Sequence, residues 1–212
     1  MSLSIYDLTV HDMDAFRSLQ AAAPDRHTQY AIRRFPRYFE VRSALWPGER
    51  YFDQHVRIIG AWLNKQLIGT VSLAQVHTNH ESREMSEEES EAFWQAFSEN
   101  DLREYQRLDH ELTQTYIGSP PGSFLIHSLH VAADCRRQGI ATRLLQDLLT
   151  GLSTKQSENL FMEMARVSSL QRFAEQLGFR CVKKTFSFTE RFRFGCWGAI
   201  LFQWNGLASR SV

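Results

Sequence analysis

The sequence contains few of the features that mark several large protein classes. Three cysteines occur among its 212 residues, and their spacing suits no metal site. No apolar run is long enough to span a bilayer, and the N-terminus lacks the basic and apolar regions of a signal peptide. The 24 basic residues equal the 24 acidic ones, so the formal net charge is zero, which disfavours a general nucleic-acid or membrane-surface binder. The few cysteines, the lack of a long apolar run and signal peptide, and the balanced charge predict a cytoplasmic protein. It is expected to span no membrane, to use no metal and to keep Cys135, Cys181 and Cys196 as free thiols.

The composition, 43% hydrophobic and 23% charged, is that of a globular protein, and the length fits one domain over residues 1–212. Hydrophobic periodicity predicts the order strand, two helices, two strands, helical insertion, strand, helix, strand, helix and two strands. The second and third strands are joined by a tight turn at Asn64 and Lys65, and the insertion covers residues 80–122. Strands joined by single helices predict parallel pairing in the second half. The fold class is therefore α/β, with a mixed central sheet of about seven strands, flanking helices and a turn near residues 189–191 before the last strand.

A turn between the fourth strand and the next helix collects hydrogen-bond donors around one glycine. The strand FLIHSLH is followed by VAADCRRQGIATRLLQDLL, in which Arg136, Arg137 and Gln138 precede Gly139. A helix N-terminus presents unpaired backbone N–H groups and partial positive charge, so this turn predicts an anion site, most plausibly for phosphate. No Lys-Ser/Thr follows the glycine as in a P-loop, and the turn lacks the further glycines of a dinucleotide-binding loop. An exposed turn with the helix capped at Asp134 remains the alternative.

Three short motifs resemble the GNAT family of N-acetyltransferases. The six residues from Arg136 to Ala141 (R-R-Q-G-I-A) fit the family signature [R/Q]-x-x-G-x-[G/A], and Leu129-His130-Val131 matches the L-x-V that precedes it. Leu177-Gly178-Phe179 matches the late L-G-F of the family. The resemblance covers most of the chain apart from the insertion. It implies the GNAT fold, acetyl-CoA as co-substrate, and an amine acceptor that is either a small molecule or a protein.

The resemblance also implies which residues hold acetyl-CoA. In the family the turn cradles the pyrophosphate with its backbone amides, and the preceding strand pairs with the pantetheine arm where two parallel strands splay. A serine at the start of the later helix falls where the family often has an asparagine that touches pantetheine. Carried over to this sequence, the cofactor-binding residues are Leu129, His130, Val131, Arg136, Arg137, Gln138, Gly139, Ile140, Ala141, Thr142 and Ser168.

Two residues are candidates for the base that deprotonates the acceptor. His127 matches a catalytic histidine of the arylalkylamine type within the family, and the ordinary pKa of histidine near ~6.5 suits base catalysis at neutral pH. Glu163 matches a catalytic glutamate that other members carry on the following strand. A histidine hydrogen-bonded in the core and a carboxylate in a salt bridge are the alternatives. Successive side chains of a strand point to opposite faces of the sheet, which predicts that one face carries Leu125, His127, Leu129 and Val131. His130 then takes the other face, with a structural role.

The sequence departs from the family at the usual acid. Many relatives carry a tyrosine four residues before the glycine that ends the late helix, and here that position is Ala174. Another residue then protonates the thiolate of CoA, with Tyr105 and Tyr116 of the insertion as candidates, or the thiolate leaves unassisted. A CoA-binding regulatory or interaction protein with little turnover is the alternative function.

Two regions bear on the acceptor. Residues 26–46 interleave arginines with aromatic side chains, and the resemblance places the equivalent helices along the acceptor pocket. The pattern fits an acidic or phosphate-bearing acceptor, RNA stacking, or an amphipathic helix with a basic outer face, and we favour the last. The insertion carries two helices with apolar faces, which predicts either a lid over the acceptor side or a contact between two copies in a homodimer.

Overall fold

A computed structural model of the chain describes residues 3–22, 26–37, 55–76, 87–113, 117–188 and 198–205. The strands of the described part are β1 (Leu3–Asp7), β2 (His55–Leu63), β3 (Gln66–Gln75), β4 (Phe124–Val131), β5 (Leu160–Ala165), β6 (Phe179–Lys184) and β7 (Ala199–Trp204). Its α-helices are α1 (Met13–Ala22), α2 (Arg26–Arg34), α3 (Glu87–Gln95), α4 (Glu99–Thr113), α5 (Ile140–Thr150), α6 (Thr154–Glu158) and α7 (Ser168–Gln176).

The strands form one mixed sheet of seven, in the order β1-β2-β3-β4-β5-β7-β6. Among the strands that the structure describes, only β4 and β5 pair in parallel, and the other neighbouring pairs are antiparallel. The predicted α/β class and mixed central sheet are confirmed, as is a helical insertion between β3 and β4. The expected parallel pairing holds for β4 and β5 but not for β5 and β6, because β7 lies between them.

Local signals in the sequence place several element boundaries as predicted. Asn64 and Lys65 both have positive φ, 51° and 67°, which is the geometry that matches a two-residue turn to the twist of a hairpin. Gly178 follows α7 with φ 88°, the left-handed conformation that ends many helices. A further cap, which was not predicted, begins α4: Ser98 and Asp101 each accept the backbone N–H of the other through their side chains.

The main core lies between one face of the sheet and the helices α5 and α7. Its fully buried members include Val71 on β3, Leu144 and Leu148 on α5, and Phe202 on β7. A smaller core on the opposite face packs α1 against β2 and β3 through Phe16, among others. The sheet is therefore covered on both faces, which suits its almost continuously apolar central strands.

A bulge in β4 changes which residues share a face. Ser72 of β3 lies opposite Ser128, whereas the next residue of β3 lies opposite Ile126, so His127 is the extra residue. Leu125 lies opposite Ala74, and Leu129 lies opposite Val71, which is on the other face of β3. The expectation that Leu125 and Leu129 share one face is therefore wrong, because the extra residue resets the alternation. His130, opposite Thr70, does point away from the face that carries Leu129.

The insertion packs against the first half of the chain. Phe97, which follows α3, and Leu108 of α4 are buried with Phe35, which follows α2, and Tyr30 packs against this cluster. An ion pair between Arg34 and Glu104 joins α2 to α4, with 3.5 Å between the charged groups. The insertion thus covers α2, the first part of the region expected to line an acceptor pocket.

Some expectations fall outside the described residues: the second part of the interleaved region, at 38–46, the turn near 189–191, Tyr116 and Cys196. Within the described part, Cys135 and Cys181 are free thiols. None of the helices that the structure describes has the length and apolar character needed to cross a membrane.

Gly198 gives a stability prediction, because its backbone has φ 126° and an ideal Cβ there would lie 2.5 Å from the Thr185 carbonyl oxygen. Thr185 is itself fixed by hydrogen bonds to Ala199, so the oxygen has little freedom to move. We expect Gly198→Ala to lower the free energy of unfolding by at least about 1–3 kcal/mol, measured in urea. Gly122→Ala is the control, since its φ is also positive but an ideal Cβ meets no atom within 4 Å, and it should lose less stability. Equal losses in the two variants would contradict the steric account.

Candidate functional site

The parallel strands β4 and β5 separate in the middle of the sheet. Their ladder holds Phe124, Leu125 and Ile126 against Leu160, Phe161 and Met162, and stops there. β4 continues to Val131 while pairing with β3, and β5 continues to Ala165 while pairing with β7. The edge of β4 that faces β5 is therefore open from His127 onwards. An extended ligand arm with amide groups fits such an edge, because it supplies the backbone partners that a missing strand would supply.

The turn after β4 exposes backbone N–H groups at the start of α5. Arg137 and Gly139 both have positive φ, 61° and 78°, and flank Gln138. Left-handed residues in a turn gather successive N–H groups into an anion-binding concavity. An ideal Cβ on Gly139 would meet no atom within 4 Å, and helix geometry leaves the N–H groups of residues 140–142 without intrahelical partners. The donors expected for a diphosphate are thus present at the end of the open edge of β4.

Two of the polar side chains at this turn brace its backbone. Arg136 donates through Nε to the carbonyl oxygen of Val131 at 3.0 Å, and Gln138 donates through Nε2 to that of Asp134 at 3.2 Å. The N–H of Ala132 bonds to Ile68 on β3, so the carbonyl of Val131, in the same planar peptide unit, points away from β3 toward the open edge. One backbone acceptor expected to pair with pantetheine is therefore engaged by Arg136. Arg137 is exposed.

The two candidate bases lie at the point where β4 and β5 separate. His127 follows Ile126 on β4, and Glu163 follows Met162 on β5, and these two preceding residues form the last pair of the ladder. Strands lie about 4.8 Å apart where they pair, so the two backbones face each other across the start of the gap. The side chain of His127 lies outside the part that the structure describes. His130, by contrast, is buried within the sheet.

The carboxylate of Glu163 is occupied by backbone donors from the end of the insertion. Its Oε1 accepts the N–H of Ile117 at 2.9 Å, and its Oε2 accepts that of Gly118 at 3.3 Å. Burial raises the pKa of this carboxyl, and the two N–H groups and the charge of Lys183 lower it by less, so the net shift is upward. Met162 and Met164 belong to the main core, which places Glu163 on the opposite face of the sheet. The sequence did not predict this contact, because Glu163 lies 46 residues after Ile117 and accepts only backbone N–H groups.

The remaining candidates lie on helices. Ser168 is the first residue of α7 and is separated from the end of β5 by two residues. Its contact with pantetheine stays a prediction. Ala174 in the same helix is completely buried in the main core and carries no proton to donate. Tyr105 of α4 packs edge-on against Trp94 and tilted against Phe35, within the cluster that joins the insertion to α2.

Comparison with protein families finds one description that fits most of the chain: the acetyltransferase (GNAT) domain matches residues 26–190. No curated protein matches the chain by sequence. Among solved structures, the chain is similar to the ribosomal-protein-S18-alanine N-acetyltransferase of Escherichia coli, with 14% identity, a TM-score of 0.53, and coverage of 100% of this chain and 99% of the other. It is also similar to a structure described as histone acetyltransferase HPA2 and related acetyltransferase from Corynebacterium glutamicum, with 12% identity, a TM-score of 0.58 and 99% coverage of both chains. At these identities the two likenesses establish the fold.

Proposed function

Because the chain belongs to the GNAT acetyltransferase family, we propose that it transfers the acetyl group of acetyl-CoA directly to an amine acceptor, with His127 as the base. Family membership makes it an acetyl-CoA-dependent N-acetyltransferase. The proposal adds the residues that carry out the reaction and assigns residues 1–212 to a single catalytic domain. The observation that carries it is the open edge of β4, which leads from His127 to the bare N-terminus of α5.

Acetyl-CoA fits along the open edge of β4, from the N-terminus of α5 to His127. The pyrophosphate lies against the N–H groups of residues 140–142, where the partial positive charge of the helix terminus stabilises it. The pantetheine arm runs along the open edge of β4 and pairs with the backbone of Leu129 and Val131 as an added strand would. For the Val131 carbonyl to accept from pantetheine, Arg136 has to share or release it. The acetyl thioester then reaches the start of the gap, beside His127.

The transfer needs few groups from the protein. A neutral amine attacks the thioester carbonyl carbon, its C–N bond forms as the C–S bond breaks, and CoA leaves as a thiolate. The ammonium of the acceptor first loses one proton to the base, which gives the neutral amine, and the nitrogen loses a second proton to water after the attack. Backbone N–H groups along β4 stabilise the developing oxyanion. Ala174 contributes no acid, so the thiolate leaves unassisted or is protonated from another group, with Tyr105 as a candidate.

The acceptor is proposed to enter on the sheet face opposite the main core. Glu163 and the end of the insertion lie on that face, and the insertion continues from there onto α2. The insertion therefore acts as a lid over the acceptor side. An amine on a small molecule or on a protein side chain suits the chemistry equally well.

The test is acetyl-CoA consumption by the purified chain with a panel of arylalkylamines, polyamines, amino sugars and lysine-containing peptides. Sustained release of CoA thiol above the rate without amine is expected for at least one class. Binding of acetyl-CoA without turnover across the panel would instead favour a regulatory role, for which Ala174 is the supporting observation. Absence of both binding and turnover would contradict the proposal.

A further inference from the structure

The carboxylate of Glu163 joins two distant parts of the chain. Both of its oxygens accept a backbone N–H from consecutive residues, Ile117 and Gly118, at 2.9 Å and 3.3 Å. Hydrogen bonds to an ionised acceptor are among the stronger ones in proteins, and two on one carboxylate also fix direction. The contact therefore holds the last part of the insertion against β5.

The contact lies at the point where the ladder of β4 and β5 ends. Glu163 directly follows Met162, the last residue of β5 that pairs with β4, and its backbone lies across the start of the gap from the backbone of His127. If acetyl-CoA follows the open edge of β4, its thioester meets this level of the sheet. The end of the insertion is then part of the wall around the reacting atoms.

A second anchor holds the segment that follows. Gly122 donates its N–H to the carbonyl of Val76, and Val76 donates its own to Ser123, which ties residues 122–123 to the end of β3. Residues 117–123 are thus fixed at both ends, at Glu163 and at Val76. The second anchor uses backbone groups only, so the first is the one that depends on a single side chain.

We propose that Glu163 is a positioning residue, which holds the end of the insertion as one wall of the acceptor site, and that it does not deprotonate the acceptor. The role of Glu163 in acceptor binding rests on the proposed function, whereas its hydrogen bonds to Ile117 and Gly118 do not. Each oxygen of Glu163 keeps a second lone pair, but protonation of the carboxylate would weaken the hydrogen bonds that hold Ile117 and Gly118. A carboxylate that acts as the base would therefore loosen the wall that it holds in place. The role of base is left to His127.

The first experiment measures the contact without any substrate. Hydrogen–deuterium exchange of a peptide spanning residues 117–123 is compared in the wild type, Glu163→Ala and Glu163→Gln. We expect exchange to rise at least about tenfold in the alanine variant and less in the glutamine variant, whose amide oxygen still accepts one N–H. Glu175→Gln is the matched control, because Glu175 is an exposed carboxylate on α7 that accepts a side-chain donor, and it should leave this peptide unchanged. Unchanged exchange in Glu163→Ala would overturn the proposal.

The second experiment separates positioning from base catalysis. With the panel amine that the wild type acetylates fastest, Glu163→Gln is expected to raise KM for the amine about tenfold and to keep kcat within about threefold. Loss of kcat by about 10²–10⁴ at unchanged KM would instead identify Glu163 as the base. Affinity for acetyl-CoA, measured by calorimetry, should match the wild type because the phosphate contacts lie at the turn before α5. If wild type and variant both fail to bind acetyl-CoA, the proposed function fails while the exchange result still decides whether the contact exists.

Discussion

Replacement of His127 by alanine is expected to lower kcat for acetyl transfer by about 10²–10⁴-fold and to leave acetyl-CoA affinity unchanged. His127 is the extra residue of the β4 bulge and the first residue of that strand beyond its ladder with β5. Bulges next to active sites serve to aim a side chain, and this one lies where the thioester is proposed to sit. The phosphate contacts lie at the far end of the open edge, so binding should persist.

The pH dependence of the rate provides a second readout for His127. The attacking amine must be neutral, so kcat/KM should fall toward acidic pH in both the wild type and His127→Ala. A base at His127 adds a second proton to that fall in the wild type, so the acidic limb should be less steep in the variant. His130→Ala is the control: His130 is buried in the sheet, so the variant should lose about 1–3 kcal/mol of stability and retain the steeper acidic limb. Normal turnover of His127→Ala would assign the histidine to packing. Loss of turnover in Glu163→Gln alone would move the base to Glu163.

Gly139→Asp is expected to weaken acetyl-CoA binding at least tenfold, about 1.4 kcal/mol. The variant places a side chain and a negative charge at the N-terminus of α5, where backbone N–H groups are proposed to meet the pyrophosphate. The fold itself has room for the change, because an ideal Cβ at Gly139 meets no atom within 4 Å. The positive φ should still cost some thermal stability, so the loss of acetyl-CoA affinity in calorimetry is compared with a control variant that carries the same strain.

Gly122→Asp is the matched control for this prediction. Its φ of 76° is close to the 78° of Gly139, and an ideal Cβ there also meets no atom within 4 Å. The two variants thus add the same charge at the same backbone conformation, one at the helix terminus and one in a turn beside β3. Binding should be weakened only in Gly139→Asp. Equal affinities in the two variants would place the phosphates elsewhere.

Features encoded by neighbouring residues could be predicted from the sequence. The hairpin at Asn64 and Lys65, the end of α7 at Gly178 and the start of α5 at Gly139 each depend on backbone conformations that a few residue types favour. The α/β class and the helical insertion followed from hydrophobic periodicity. The position of β7 between β5 and β6 did not, since pairing between strands depends on contacts across the whole sheet and not on neighbouring residues in the sequence.

The details of the site were less accessible, because they depend on distant contacts. The bulge at His127 is visible only in the register between β3 and β4, and it overturned the simple alternation expected for Leu125 and Leu129. The sequence predicted Glu163 as a candidate base because it matches a catalytic glutamate that other family members carry on the equivalent strand. Its hydrogen bonds to Ile117 and Gly118 use backbone N–H groups, which residues of almost any type supply, so no sequence motif predicts them.

A crystal structure of the chain soaked with acetyl-CoA tests the central claim most directly. The account predicts density for the pyrophosphate against the N–H groups of residues 140–142, for pantetheine along the open edge of β4, and for the acetyl group beside His127. Density for the pyrophosphate away from the turn before α5, or for an acetyl group that points away from the gap between β4 and β5, would contradict it.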